Sequence, residues 1–590
     1  MSKKAARAAG HRSPSAAVSR PVPPTPAAAA PRWNRLPYAL PAGIALVVFL
    51  WAYSPVIRTG FLFDDTNQRF ALPTEAGQPL SKWIGPVRPV LMFSYWMNVQ
   101  ISKESTLSYH VFNLAIHALA AVLVFLALRR LMEWAAIDAA VRTPLAVFGA
   151  ALFLLHPLQT ESVAYISGRS EALSGVLALA SLTAFLYRKT KAISWPVTVA
   201  VLALFGAAML SKEQAVVIPL VLLLTDFWWN PGFSLQGIVR NWKLYALCAA
   251  GGLAAVALFW KLILGVGTGG SAGFGMKDLG PYQYLCTQFR ALWVYIGNFL
   301  LPLNLNLDWE FPISRGIFDR GSILGLLALA ALAAAAWRYR ARFKLASYGY
   351  FLFLIFLLPT SSILPIKDPI ADRRMYLPMI GLILIALDFL ARWRVGRKPL
   401  AALCAAVVLG MAGLTHLRAQ QWSDPIAIWE DTARKSPDKS RVHFQLAQAY
   451  FDAQQFDRAS IEFEKAAQLE KPDYALLLDW GLALDGLHQP AKALEKLRQA
   501  AALEPKAHVY TQIGKVYAGL QQWKLAMEAF NTAQSLDPNF TPTYAYKGLV
   551  HLATGDIAGG VQECRHALQI DANFQPARDC LATAQRLSPR

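Results

Sequence analysis

The chain changes its hydrophobic pattern once, near residue 420. Before that point, long apolar runs alternate with short polar loops; after Trp422, apolar positions recur at helical spacing. Mostly apolar runs lie at 38–57, 109–128, 143–157, 171–187, 195–210, 214–229, 244–264, 321–337, 346–364, 377–393 and 399–417. A helix of roughly 20 apolar residues spans a bilayer core, so the pattern predicts eleven crossing helices. The stretch RPVLMFSYWMNVQI at 88–101 mixes aromatic and polar groups and predicts a helix lying in the interface. The run 283–303 fits either a span or a re-entrant or amphipathic helix.

The second pattern is a repeat. Small residues recur at Ala447, Gly481, Gly514 and Gly548, at spacings of 34, 33 and 34. Tyr450 and Tyr517 follow three positions later, Ala459, Ala493 and Ala526 twelve later, and Ala466, Ala500, Ala533 and Ala567 nineteen later. Pro472, Pro505 and Pro538 end the units. This is the tetratricopeptide pattern of paired helices, whose small residues let the two helices approach. Such stacks bind extended peptides or proteins in a groove. The half-unit Trp429 to Pro437 predicts a joint to the last apolar run. Cys564, on the second helix of the fourth repeat, and Cys580, on the antiparallel helix after it, stand at similar heights, within reach of a disulfide. The plainer reading is two small residues buried in a repeat core.

Composition then sets the class. The chain has 590 residues, 55% hydrophobic and 16% charged, which is too apolar for an average soluble protein. Its formal net charge of +20 lies in the N-terminal tail and in short loops, a placement that speaks for membrane orientation and against nucleic acid. Five cysteines without a CxxC pair argue against a zinc site. Residues 1–37, with Lys3, Lys4, Arg7, Arg12, Arg20, Arg32 and Arg35 and no acid, predict a disordered cytoplasmic tail. The basic loops Arg129–Arg130, Arg188–Lys191, Arg240–Lys243, Arg338–Lys344 and Arg392–Lys398 join the tail on one side only if 283–303 fails to cross. The topology expected is therefore eleven spans with a cytoplasmic N-terminus and an outer, periplasmic or luminal, repeat domain. The divisions expected are a tail at 1–37, a membrane domain at 38–418 and a repeat domain at 419–590, all-α throughout.

On that topology the loops of mixed charge collect on the outer face. FLFDDTNQRF carries Asp64 and Asp65; HPLQTESVAYISGRSE carries His156, Glu161, Arg169 and Glu171; LSKEQ carries Lys212 and Glu213; IADRRMYLP carries Asp372, Arg373 and Arg374; Arg88 opens RPVLMF. Each group has a plain reading: a solvated loop for the aspartates, capping and ion pairing for the second set, an interfacial pair for Lys212 and Glu213. Two consecutive arginines outside run against the orientation rule, and an anion there explains them. Together the set supplies a carboxylate to take a hydroxyl proton and Arg88, Lys212, Arg373 and Arg374 to stabilise a leaving phosphate.

FLFDDTNQ, RPVLMFSYWMN, SYHVFNLAIHALAAVLVF, HPLQTESVAYISGRSE, LSKEQ and DRRMYLP, in this order and followed by the repeats, resemble the transmembrane and tetratricopeptide-repeat protein O-mannosyltransferases. More broadly they resemble the GT-C class of polyprenyl-phosphate-sugar transferases. The resemblance covers most of 38–590 and implies a GT-C-like helix bundle before an α-solenoid. It implies inverting transfer of a monosaccharide from a lipid phosphate to Ser or Thr of a protein held by the repeats. It also implies that an acid of the first outer loop is the base, and Asp64 and Asp65 match that pair. Asp64 is the expected base, and Asp65 a partner that orients the acceptor or holds a divalent cation. The Ala-rich composition fits a bacterial member, whose sugar need not be mannose. The competing functions are a lipid-linked oligosaccharide ligase or polymerase, which needs a larger late outer loop than 365–376, and a non-enzymatic anchor presenting the repeats.

Overall fold

The computed structural model describes residues 36–102, 105–264, 272–276 and 279–587. Most of the basic tail at 1–37 lies outside them. The chain divides into two units, residues 1–47 and 48–590. Of the first unit only the opening turns of the helix Leu36–Ala52 are described. The second holds every residue discussed below.

The described residues are helical, with one isolated bridge, Ala272 to Ile366, as their sole β pairing. Every apolar run of the sequence falls on a helix, in order: Leu36–Ala52, Leu107–Trp134, Ala139–Leu155, Arg169–Leu186, Trp195–Met209, Ile218–Trp229, Trp242–Leu264, Ser322–Arg338, Lys344–Leu357, Met379–Arg392 and Arg397–Trp422. By length and apolarity four of the described helices suffice to cross a membrane, and six if each of two bent pairs counts as one span. Length accounts for part of the shortfall from eleven; Trp242–Leu264, with 23 residues, is long enough and is still not among the four. Met379–Arg392 has 14 residues, about 20 Å at 1.5 Å per residue, against a hydrocarbon core of about 30 Å.

The ambiguous run forms the helix Pro281–Leu300. It buries Tyr284, Gln288, Ala291, Leu292, Tyr295, Asn298 and Phe299, which recur at three- and four-residue spacing on one face. Its polar groups are used internally: Gln288 donates to the Pro369 carbonyl at 3.1 Å and Asn298 to Asp372 at 3.3 Å. The helix has 20 residues and one buried, partly polar face.

Pro425–Lys435 opens the C-terminal region, capped by Asp424, whose carboxylate accepts from the Ile426 and Ala427 N–H groups. Helix pairs Ser440–Asp452 with Phe456–Leu469, Tyr474–Gly486 with Pro490–Leu503, Ala507–Gly519 with Trp523–Leu536, and Thr541–Ala553 with Ile557–Ile570 follow, then Gln575–Leu587. The periodic small residue is a steric requirement. A Cβ on Gly514 would lie 2.6 Å from the Phe530 ring. The turn inside each pair adds a period that residue type hides. Gln454, His488 and Gln521 have φ of 58°, 55° and 57°, and Gly555 has φ of 87° at the equivalent place. In the last repeat Cys564 and Cys580 are joined, with Cα atoms 6.3 Å apart, which ties the final helix to the one before it.

Candidate functional site

Asp64 and Asp65 sit on a 3-10 turn, Phe63–Asn67, just beyond the first apolar helix. The loop before it is fastened to Leu107–Trp134: the Thr59 carbonyl accepts from Thr106 Oγ1 at 2.8 Å and bonds His110 Nε2 at 2.9 Å. The turn then separates the two carboxylates. Asp65 points inward and is 1% exposed. It accepts from the Ser167 N–H at 2.8 Å, from Ser167 Oγ, and from the Leu62 N–H at 3.3 Å. Burial pushes its carboxyl up to about 7 against the opposing pull of those bonds. Asp64 is exposed, and its backbone N–H donates to the Tyr165 hydroxyl at 3.1 Å. Among the described residues no group bonds the Asp64 carboxylate. One aspartate thus fixes the loop while the other is presented.

Ser167 reaches Asp65 because the chain turns tightly at Gly168, where a Cβ would lie 2.4 Å from the Glu161 carbonyl oxygen and 2.9 Å from that of Tyr165. Residues from that same segment hold two of the cations. Arg373 donates to Glu161 through its backbone N–H at 2.7 Å and through Nη1. Lys212 bonds Glu171 and reaches Ser170 Oγ at 3.3 Å. Burial lowers the Lys212 ammonium; Arg88 and Arg373 push the same way and Glu171 opposes them. Arg88, with φ of 49°, makes a two-toothed pair with Glu213, Nε to Oε1 at 2.9 Å and Nη2 to Oε2 at 2.8 Å. Each cation has its own carboxylate. Arg88 Nη1 and Arg373 Nε and Nη2 have no protein partner among the described residues.

Three further candidates have other occupations. His156 accepts from the Leu158 N–H on Nδ1, bonds the Phe299 carbonyl through Nε2 at 3.0 Å and stacks on the Phe299 ring. Arg169 is fully buried and meets neutral acceptors, among them Asn113 at 2.7 Å and Asn98 at 2.6 Å, between the rings of Tyr95 and Phe112. Arg374 turns back on its own loop and donates to the carbonyls of Pro369 and Asp368.

The joint between this face and the repeats uses Trp429, from the half-unit expected as a joint, and several residues the sequence had not singled out. Phe63 packs edge-on against Trp429 with ring centres 5.3 Å apart, and the Arg441 guanidinium lies 5.8 Å from the centre of the Phe63 ring. Tyr165 stacks on Trp422. Arg441 and Lys439, at the start of the first repeat, pair with both Asp308 and Asp368. Asp372 stays buried beneath, taking N–H groups from Asn306, Asn298 and the Trp309 indole. Burial, then the nearby Glu161 charge, lifts it to about 7. Asp308 of LNLDWE, an acid between Leu307 and Trp309 in a mostly apolar stretch, is a further signal of this seam in the sequence. For a divalent cation the residues do not fit. No described group of three His, Cys, Asp or Glu side chains can hold a metal ion, and Asp65 is already occupied.

Comparison with known proteins now adds to the geometry. A tetratricopeptide repeat model matches residues 440–473 and 507–540. A protein O-mannosyl-transferase of Caenorhabditis elegans is 25% identical over 374 residues, 62% of this chain and 51% of its own. The protein O-mannosyl-transferase TMTC3 of Homo sapiens is 21% identical over 545 residues, 82% of this chain and 57% of its own. Tmtc3 of Drosophila melanogaster is 24% identical over 490 residues, 71% and 52%. Among solved structures, that of MamA has a TM-score of 0.24 and 22% identity, over 25% of this chain and 88% of that one. The chain spans about half the length of the curated relatives it matches. It is a tetratricopeptide-repeat relative of the curated protein O-mannosyl-transferases.

Proposed function

We propose that the chain is a membrane glycosyltransferase that moves a monosaccharide from a polyprenyl-phosphate donor to a Ser or Thr hydroxyl of a protein, with inversion, on the outer face. The observation that carries the reading is the unbonded Asp64 carboxylate. It stands on a loop pinned by Asp65 and Tyr165, whose Phe63 touches the first helices of the repeats. Asp64 takes the hydroxyl proton as the acceptor oxygen bonds to the anomeric carbon from the face opposite the leaving group. The bond from that carbon to the phosphate oxygen breaks, and the lipid phosphate leaves with the electron pair. The free N–H groups of Arg88 and Arg373 receive it, with Lys212 beside them. Glu161, Glu171 and Glu213 hold those cations in place. Asp65 and Ser167 position the loop, and Arg374 braces the loop that carries Arg373. The acceptor lies along the repeats, as stacks of this kind hold extended chains.

The test is transfer of labelled sugar from a polyprenyl-phosphate donor to an acceptor protein by the purified full chain in detergent. Asp64→Asn lowers transfer by about 10²–10⁴ and leaves helix content unchanged. Near-normal turnover of that variant rejects Asp64 as the base. Full activity of both Asp64→Asn and Asp65→Asn removes the pair from the reaction and favours a scaffold.

A further inference from the structure

Between four helices lies an open cleft of about 660 Å³, which runs from Phe299, beside His156, to Arg392 and Trp393. Its wall is formed by Phe148 and Leu152, Phe299, Phe389, Val407 and Met411, from four different helices, and it is almost wholly apolar. The volume is in the ~300–1,000 Å³ range of pockets that hold small ligands. Met379–Arg392 starts just after the Asp372–Arg373 turn and runs about 20 Å away from it, so the far end of the cleft is remote from Asp64. Arg392 and Trp393 line that end. There the cleft meets charge of one sign.

Arg394, Arg397 and Lys398 follow directly in the chain, exposed and with no partner among the described residues. Arg392 pairs with the buried Asp388 at 2.7 Å and lies over the Phe343 ring. Phe343 in turn touches Phe389 of the cleft wall. That packing brings in the loop 338–344, which carries Arg338, Arg340, Arg342 and Lys344. Two basic loops therefore rim one apolar opening, and Asp388 is the only acid in 338–344 or 388–398.

We propose that the cleft seats an acyl chain of an anionic glycerophospholipid whose phosphate lies on Arg394, Arg397 and Lys398. Basic clusters at the ends of membrane helices attract anionic headgroups, and the cleft supplies the apolar half of the same molecule. An orientation signal needs the charges but not a cleft opening between them.

The test uses the full chain, delipidated in detergent. Phosphatidylglycerol and phosphatidylcholine of identical chains are added, with glycerol phosphate and a polyprenyl phosphate as separate arms. Bound lipid is read by native mass spectrometry and Tm by intrinsic fluorescence. Phosphatidylglycerol is retained about tenfold over phosphatidylcholine, a difference of about 1.4 kcal/mol, and raises Tm. The combined variant Arg394→Gln, Arg397→Gln, Lys398→Gln, all at exposed positions, loses that preference while keeping its helix content. Val407→Phe, which fills the cleft, loses retention of both lipids. Equal retention of the two phospholipids overturns the proposal, as does a Tm rise with glycerol phosphate alone, or preference for polyprenyl phosphate. Unchanged preference in the triple variant overturns it even if Val407→Phe fails to fold.

Discussion

The two ends of the helical region handle charge in opposite ways. At the Asp64 end, Arg88, Lys212 and Arg373 each face one glutamate, and Asp65 and Asp372 are buried among neutral donors. At the Arg394 end, Arg394, Arg397 and Lys398 stand in the open without partners among the described residues, beside the paired Arg392 and Asp388. The difference follows from what each end can tolerate. Where side chains leave water, a charge keeps a defined position only if it is paired, and removing one partner strands the other. Where they remain solvated, cations act at range and their exact placement matters little. The first end is built to hold a geometry, the second to hold a field.

The largest effect expected from this contrast is on transfer. Asp64→Asn lowers the rate by about 10²–10⁴, whereas Lys189→Gln, an exposed change at the basic end, leaves it unaltered. Equal losses in a transfer assay would break the comparison. Next comes stability. Glu161→Gln leaves Arg373 beside a neutral group and costs about 3 kcal/mol, while Arg394→Gln stays within about 0.5 kcal/mol. Thermal unfolding of both variants in one detergent measures the gap, and similar costs would remove the distinction.

A further effect is a pH slope. The carboxyls of Asp65 and Asp372 are both lifted from 3.8 to about 7 by burial. Between those values the native chain holds protons that the unfolded chain has released. Stability therefore falls as pH rises from about 4 to about 7 and levels off above, by on the order of a few kcal/mol in all. Asp65→Asn flattens part of the slope. Unfolding followed from pH 4 to 8 checks it, and a slope that Asp65→Asn leaves unchanged would show that this group ionises freely in the folded chain.

How much of this was legible in the sequence depended on distance along the chain. The repeats were plain because a fixed period is itself the structure: Gly481, Gly514 and Gly548 declare the close helix crossing. The aspartate pair and the cations were visible as charges standing out from apolar surroundings. Their partners were not. Arg373 and Glu161 are 212 positions apart and Arg88 and Glu213 are 125 apart, and nothing local marks such a match. Nor did residue type disclose that Arg374 turns back while its neighbour Arg373 turns to Glu161. Side-chain direction on a short 3-10 turn depends on where its neighbours settle. The left-handed residues Gln454, His488 and Gln521 were hidden for another reason: only Gly555 is of the type that advertises such a φ.

The clasp of Phe63 between Trp429 and Arg441 bears on how an acceptor is chosen. The ring belongs to the residue before Asp64, so the repeat stack and the carboxylate share one frame of reference. An extended chain advances about 3.3 Å per residue. On the proposed reading, a segment anchored in the stack presents to Asp64 whichever hydroxyl lies the right number of residues from its anchor. Selection then works as a gauge of length, blind to the side chains flanking the hydroxyl. Insertion of two residues between anchor and hydroxyl silences an acceptor, and moving the Ser or Thr two places along the segment restores it.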